Sequence, residues 1–338
     1  MERWGRSILR RLGLLAVLLL VVLFLAFLLP RLGAAPPVVM LGGATAPPAA
    51  QAQLRAEYAL DQPVPVQFIR FVVRMASGDW GRSWLTGAAV GADLLARTPA
   101  TLELMLYAIM LGSLLGVPLG VTAALNHSRP EDRTLRGVAL LFEAMPAFVL
   151  ALLLLVLLFS WLGVAPAPSG RLSIMLSPPP HVTGSYFIDA ILMQDGAGAR
   201  SALSQLALPV VCLALLVAAA LVVQVRQAIL VQRDTGHFAH ARAQGMSRDM
   251  LGSIALRGAA PAIATAIGGQ LVALFAATAV VEYVFSWGGI GQLGLDSIAR
   301  ADFAVVQGFI LYGALFTMVV QVLTHLATLG FRVRVRRA

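Results

Sequence analysis

HFAHARAQGMSRD, residues 237–249, interrupts a chain that is almost pure hydrocarbon on either side. LPVVCLALLVAAALVV (208–223) precedes it and PAIATAIGGQLVALFAATAVV (261–281) follows it. About 20 apolar residues suffice to cross a bilayer, so the flanks read as membrane helices and the break as a short polar segment at one membrane face. Within it, Phe238, Ala241 and Gly245 are spaced i, i+3, i+7 and share one helical face, with Arg242 beside them. Gly245 suits the left-handed residue that ends a helix. Ser247 suits the cap of the next helix, and Asp249 its first turn, where the helix dipole favours an anion. The pattern predicts helix, glycine corner, helix. Small side chains at Ala239, Ala241 and Ala243 would let another surface approach closely. An amphipathic loop lying on lipid headgroups fits the same periodicity. His237 and His240 lack the carboxylate or cysteine neighbours that would complete a metal site.

Working outward, the 338 residues are 59% hydrophobic and 12% charged, against about 25% charged in soluble domains. This is the composition of an integral membrane protein, and the continuous apolar runs exclude the alternating pattern of an outer-membrane barrel. The expected fold class is therefore an all-α membrane protein. Six runs are long enough to cross: roughly 12–30, 99–125, 137–163, 203–224, 261–285 and 304–330. The first is read as a retained anchor, because its core is too long for a typical signal peptide. All 25 basic residues are arginine. A Walker phosphate loop needs a lysine, so the chain is not itself a P-loop ATPase. The net charge of +9 reports headgroup contact and orientation in such a chain, rather than nucleic acid. With the N-terminus cytoplasmic, sixteen arginines fall inside and nine outside, six of these in the long 31–97 loop, where the bias counts least. Both termini and 237–249 are thus expected to be cytoplasmic.

The chain divides, on this reading, into an N-terminal arm and first span (1–30), an external loop or small cap (31–97), a transmembrane domain (98–330) and a basic tail (331–338). Three acids lie in the spans. Glu103 is expected at headgroup level or at an N-terminal helix position. Glu143, about six residues into the third span, is costly at that depth and points to the translocation pathway or to an interhelical hydrogen bond; Pro146 beside it predicts a kink. Glu282, with Gly288, Gly289 and Gly291 in the glycine-rich loop after it, is a candidate for pathway or gate. Cys212 reads as a structural residue in a helix.

ARAQGMS (241–247) resembles the core of the "EAA" loop in permease subunits of binding-protein-dependent ABC importers, the dipeptide, oligopeptide and nickel permeases above all. Further segments resemble that family in its order: LDQPVPVQF, GDWGRS followed by TG, TPATLEL, LGSLLGVPLGV, APAPSGRL and VVEYVFSWGGIGQL. Together they cover roughly 54–330. The chain departs from the pattern at Ala239 and His240, where the consensus has Glu and Ala, and at Gly289, where relatives often have Pro. The resemblance implies a type I importer fold of six spans. It makes Phe238, Ala239, His240, Ala241, Arg242, Ala243, Gln244, Gly245, Met246, Ser247, Arg248 and Asp249 a coupling loop that docks on a separate ATPase. It implies two such ATPase subunits, a second permease and an extracytoplasmic binding protein as partners, with ATP and Mg bound by the partners and no cofactor in this chain. The competing reading is a secondary transporter driven by an ion gradient, whose inverted repeats and charged midplane helices are not visible here.

Overall fold

A computed structural model describes residues 2–32, 36–42 and 46–337; parts of the 31–97 loop, at 33–35 and 43–45, lie outside the described residues. In chain order the helices are α1 (Glu2–Leu32), α2 (Pro37–Gly42), α3 (Pro48–Glu57), α4 (Val64–Ala76), α5 (Val90–Leu125), α6 (Pro130–Glu143), α7 (Ala147–Leu154), α8 (Tyr186–Leu192), α9 (Gly196–Arg233), α10 (Gly236–Ala243), α11 (Arg248–Val284), α12 (Ile290–Ala299) and α13 (Phe303–Arg337). A π-helical turn, Leu155–Trp161, continues α7. Strand pairing among the described residues amounts to one isolated bridge, Arg82 with Ala89.

Five helices are long and apolar enough to cross a membrane, and six spans result if α6 and α7 count as one. The spans run past the bounds that hydropathy drew. α5 starts at Val90 rather than 99, and α11 starts at Arg248, taking Pro261 into its interior. Helix persistence beyond the hydrocarbon is invisible to an apolar count, because the added turns are polar.

The third span differs in kind. Instead of one helix over 137–163, α6 and α7 meet at a bend of 100°. Pro146 supplies no N–H and pushes Met145 out of helical geometry, so the α6 ladder ends with Ala144 N donating to Leu140 O at 3.0 Å. Pro146 itself caps α7 with φ −59° and ψ 140°.

The helices fall into two compact units. One comprises residues 1–99 and 289–318. Its core sets Leu23 and Phe27 of α1 against Phe71 and Met75 of α4 and Leu311 of α13. Phe68 meets Phe24 and Phe27 edge-on, each at 5.3 Å between ring centres. Buried Gln67 donates to the carbonyls of Leu60 (3.1 Å) and Gln62 (2.7 Å) and accepts from Arg31. Ser83 Oγ donates to Asp302 Oδ2 at 2.5 Å. The stretch that looked like a small external cap is therefore tied down by hydrogen bonds. The glycine-rich segment expected as a flexible turn is mostly helix α12, whose Gly291 and Gly294 are buried. A Cβ on Gly294 would lie 2.7 Å from Phe309 Cγ.

The second unit, residues 100–288 and 319–338, is built around α9, buried along most of its length. Gly112, Gly116 and Gly120 of α5 recur every four residues and let α9 approach closely; added Cβ atoms would fall 2.6 Å from Val217, 2.7 Å from Ala218 O and 2.8 Å from Val225. Glu103 is buried within the protein. Arg171 Nη2 donates to its Oε2 at 2.7 Å and Ser185 Oγ to its Oε1, while the guanidinium stacks 3.8 Å from the Tyr186 ring centre. This clasp holds the 164–185 connection onto α5.

Asp189 of α8 fixes the same connection from within. It accepts from the backbone N–H groups of Thr183 (2.7 Å), Gly184 (3.0 Å) and Val182 (3.3 Å), and from Thr183 Oγ1 at 2.6 Å. Burial raises its pKa, but the Thr183 hydroxyl and the three N–H groups outweigh burial and leave the carboxyl below its ordinary value. Because the folded pKa lies below the unfolded one, about 3.9, the stabilisation is complete above that value and is lost as pH falls through the lower folded pKa. Limited proteolysis of 181–195 should therefore accelerate below about pH 4. Asp189→Ala should be cut rapidly at neutral pH and show no acid step. An acid step of wild-type size in Asp189→Ala would remove Asp189 from this role.

Candidate functional site

α9 ends at Arg233, and the chain turns through Asp234 and Thr235 into α10. Thr235 Oγ1 closes this corner by donating to Gln232 O at 2.7 Å. Phe238 anchors α10. Its ring is buried in a cluster with Ala124, Val225, Ile229, Ala255, Ala259 and Ile263. Ala241 is buried one turn later, as the i, i+3 spacing predicts. Arg233 reaches over Phe238, its guanidinium carbon 6.0 Å from the ring centre, and donates from Nη1 to Ala124 O at 3.0 Å. That carbonyl belongs to the last turn of α5 and also accepts from His127 N, just beyond the helix, at 3.3 Å.

Gly245 ends α10 at φ +73°. Gly245 N donates to Arg242 O (3.1 Å) and Met246 N to Ala241 O (3.4 Å), so two end carbonyls are satisfied. Ser247 then caps α11, its Oγ accepting from Met250 N at 3.4 Å. Ala239, His240, Arg242, Ala243, Gln244 and Gly245 are exposed, while Met246 is half-buried. Gln244 Nε2 lies 3.0 Å from His240 Nε2. Arg248 and Asp249 contribute the first backbone turn of α11; their side chains lie outside the described residues. The element is thus a rigid corner, fastened by one buried aromatic and presenting a ridge of small and polar side chains. No cluster of three metal-ligating side chains occurs among the described residues.

A second polar node, which no sequence motif singles out, lies close along the chain. Arg226 of α9 grips Asp132 of α6 with both arms, Nε to Oδ1 at 2.6 Å and Nη2 to Oδ2 at 2.9 Å. Both side chains are buried, at 10% and 5% exposure. His127 Nδ1 stands 2.9 Å from Arg226 Nη2 and 3.3 Å from Asp132 Oδ2. Ser128, at φ +69°, aims its N–H at Asp132 Oδ2 from 3.2 Å. Nothing in local periodicity pairs residues 94 positions apart.

The pathway candidates separate. Glu143 is the last residue of α6, exposed at the bend, and forms no hydrogen bond or ion pair with any described residue. Of the two alternatives for it, an interhelical hydrogen bond does not occur among the described residues. Glu282 is fully buried in the last turn of α11. Its carbonyl accepts from Trp287 N at 2.9 Å, and Trp287 Nε1 donates to Ala100 O at 3.0 Å. Gly288 is left-handed at φ +79°. Gly289 is extended and caps α12, which takes Gly291 into its first turn.

An all-helical chain with five or six helices apolar and long enough to span a membrane, broken by a fastened helix–glycine–helix corner, has the architecture of a multispan membrane protein. Residues 116–337 match the family described as binding-protein-dependent transport system inner membrane component. Residues 5–105 match the N-terminal region of the same class of membrane components. The chain belongs to this family and is an inner-membrane component of a bacterial transport system. Among its relatives, the probable D,D-dipeptide transport system permease protein DdpB of Escherichia coli (strain K12) is 34% identical over 93% of this chain and 92% of its own length. The di/tripeptide transport system permease protein DppB of Pseudomonas aeruginosa (strain UCBPP-PA14) is 35% identical over 92% and 93%. The dipeptide transport system permease protein DppB of Escherichia coli (strain K12) is 31% identical over 94% and 95%. Family membership supports the ABC importer permease over the ion-gradient alternative, and makes the chain a transport component rather than a catalyst.

Proposed function

We propose that this chain forms, with a second permease, the membrane pathway of a peptide importer driven by two separate ATPase subunits, and that α10 with its glycine corner receives the motion of one of them at the cytoplasmic face. The single observation that carries the docking role is the corner itself. Phe238 roots it in the core, Gly245 turns it, and its exposed ridge offers small Ala239 and Ala243 alongside the polar His240, Arg242 and Gln244 for a partner to meet. Peptides are the proposed cargo because the relatives' names specify dipeptide and di/tripeptide transport. An extracytoplasmic binding protein would deliver them. The arginine distribution supports both termini on the cytoplasmic side. Glu143 supports a pathway role by its exposure at the bend: a carboxylate without a protein partner in an apolar element requires a polar cavity or a polar neighbour.

The assembly test co-purifies the chain with ATPase subunits and introduces cysteine at Ala243. A crosslink from position 243 to the ATPase, together with no ATP hydrolysis by the isolated chain, is the expected result. ATPase subunits that bind while position 243 stays accessible to a bulky maleimide would return α10 to the lipid headgroups.

A further inference from the structure

The corner, the end of α5 and the start of α6 are joined by a continuous set of polar contacts. Phe238 of α10 sits under Arg233, Arg233 holds Ala124 O at the end of α5, and the turn that follows carries His127 and leads into Asp132, which Arg226 grips with both arms. From there α6 runs along α9, with Ala139 against Ala219 and Val222, and ends at Glu143 on the bend. The polar contacts are directional, and the ion pair is largely buried, where it slides less readily than a surface pair does. We propose that the Arg226–Asp132 pair is a positioning joint. It makes α10 and α6 move as one body, so that displacement of the docking corner is delivered to the bend carrying Glu143. This rests on the docking role proposed for α10.

An apolar contact of the same area would hold α6 and α9 together but would not fix their register, because hydrocarbon packing is non-directional. The two-armed guanidinium–carboxylate bond fixes both distance and orientation. Ser128 in its left-handed conformation and His127 beside it hold the carboxylate from the other side. The requirement falls on coupling rather than on assembly, since Phe238 and its cluster keep α10 in place without the pair.

The test reconstitutes the assembled transporter, with its ATPase subunits and binding protein, in proteoliposomes and uses trialanine as the probe peptide. Spin labels are placed at Gly137→Cys, which has open space around it, and at Ala243→Cys. With the native pair the label separation should be the same in the nucleotide-free and vanadate-trapped states. In Asp132→Asn the distribution should broaden, and the ratio of peptide-stimulated to basal ATP hydrolysis should fall to near one, with subunit stoichiometry and basal hydrolysis retained. Exchanging the charges, Asp132→Arg with Arg226→Asp, should restore part of the stimulation. A label separation that shifts on trapping with the native pair intact, or full stimulation in Asp132→Asn, overturns the joint alone. If Asp132→Asn loses assembly and basal hydrolysis together and the exchange restores neither, the pair is structural and the proposal fails. ATPase subunits that do not bind the unaltered chain overturn the docking role and the joint with it.

Discussion

Gly245→Val stops uptake while the protein remains in the membrane at near-normal level. At φ +73° a β-branched residue is strained by about 1–2 kcal/mol, yet a Cβ there meets nothing within 4 Å. The strain is therefore relieved by re-aiming the backbone, not by unpacking neighbours. Five or six apolar spans dwarf that cost, so insertion survives. Docking depends on where the ridge after Phe238 points, and a shift of about 1 Å at a positioning contact is enough to cost orders of magnitude in a geometry-limited step. Transport and peptide-stimulated ATP hydrolysis should fall by at least tenfold, while ATPase subunits assayed alone are unaffected. Gly294 is unsuitable as a control because Phe309 stands against it. Gly196 at the start of α9 has open space and ordinary φ, and Gly196→Val should transport normally. Normal uptake by Gly245→Val, with unchanged ATPase binding, would falsify the docking assignment.

Gly116→Val does the reverse and destroys the fold itself. Its Cβ would lie 2.7 Å from Ala218 O and 2.9 Å from Ala218 Cα, which are backbone atoms that cannot rotate aside. The whole of α5 must retreat from α9, opening the seam at Gly112 and Gly120 as well. Overpacking of this kind costs about 3 kcal/mol or more, and the loss is concentrated where backbones touch. The thermal midpoint in detergent should drop sharply and most of the protein should be degraded. Gly137→Val, on the open side of α6, should change stability by less than about 0.5 kcal/mol. A Gly116→Val protein as abundant and heat-stable as the Gly137→Val control would mean that α5 and α9 do not meet this closely.

Much of this molecule is legible in single residues. The apolar runs betray the spans because leaving water is a property of each side chain by itself. Gly245 and Ser247 betray the corner because turning and capping are settled within a few residues of backbone. The arginine asymmetry bears on orientation for a similar reason, as each charge meets the headgroups singly. Even so, Pro146 announced a kink without its size, and the bend of 100° splits what hydropathy read as one span. The partner of Glu103 was invisible because Arg171 lies 68 residues away in a loop.

The sequence by itself determined the class, the apolar spanning segments, the corner and the family. These follow from local partition, local backbone preference and motif order. Only the tertiary structure decided that Gly112, Gly116 and Gly120 form one seam, that Glu103 and Asp132 are gripped by arginines, and that Glu143 stands exposed at a bend with no partner. A glycine's emptiness gains meaning only when another backbone fills it. A buried charge is costly or stable according to what lies opposite. Both depend on which helices become neighbours, and no local periodicity in the sequence encodes that pairing.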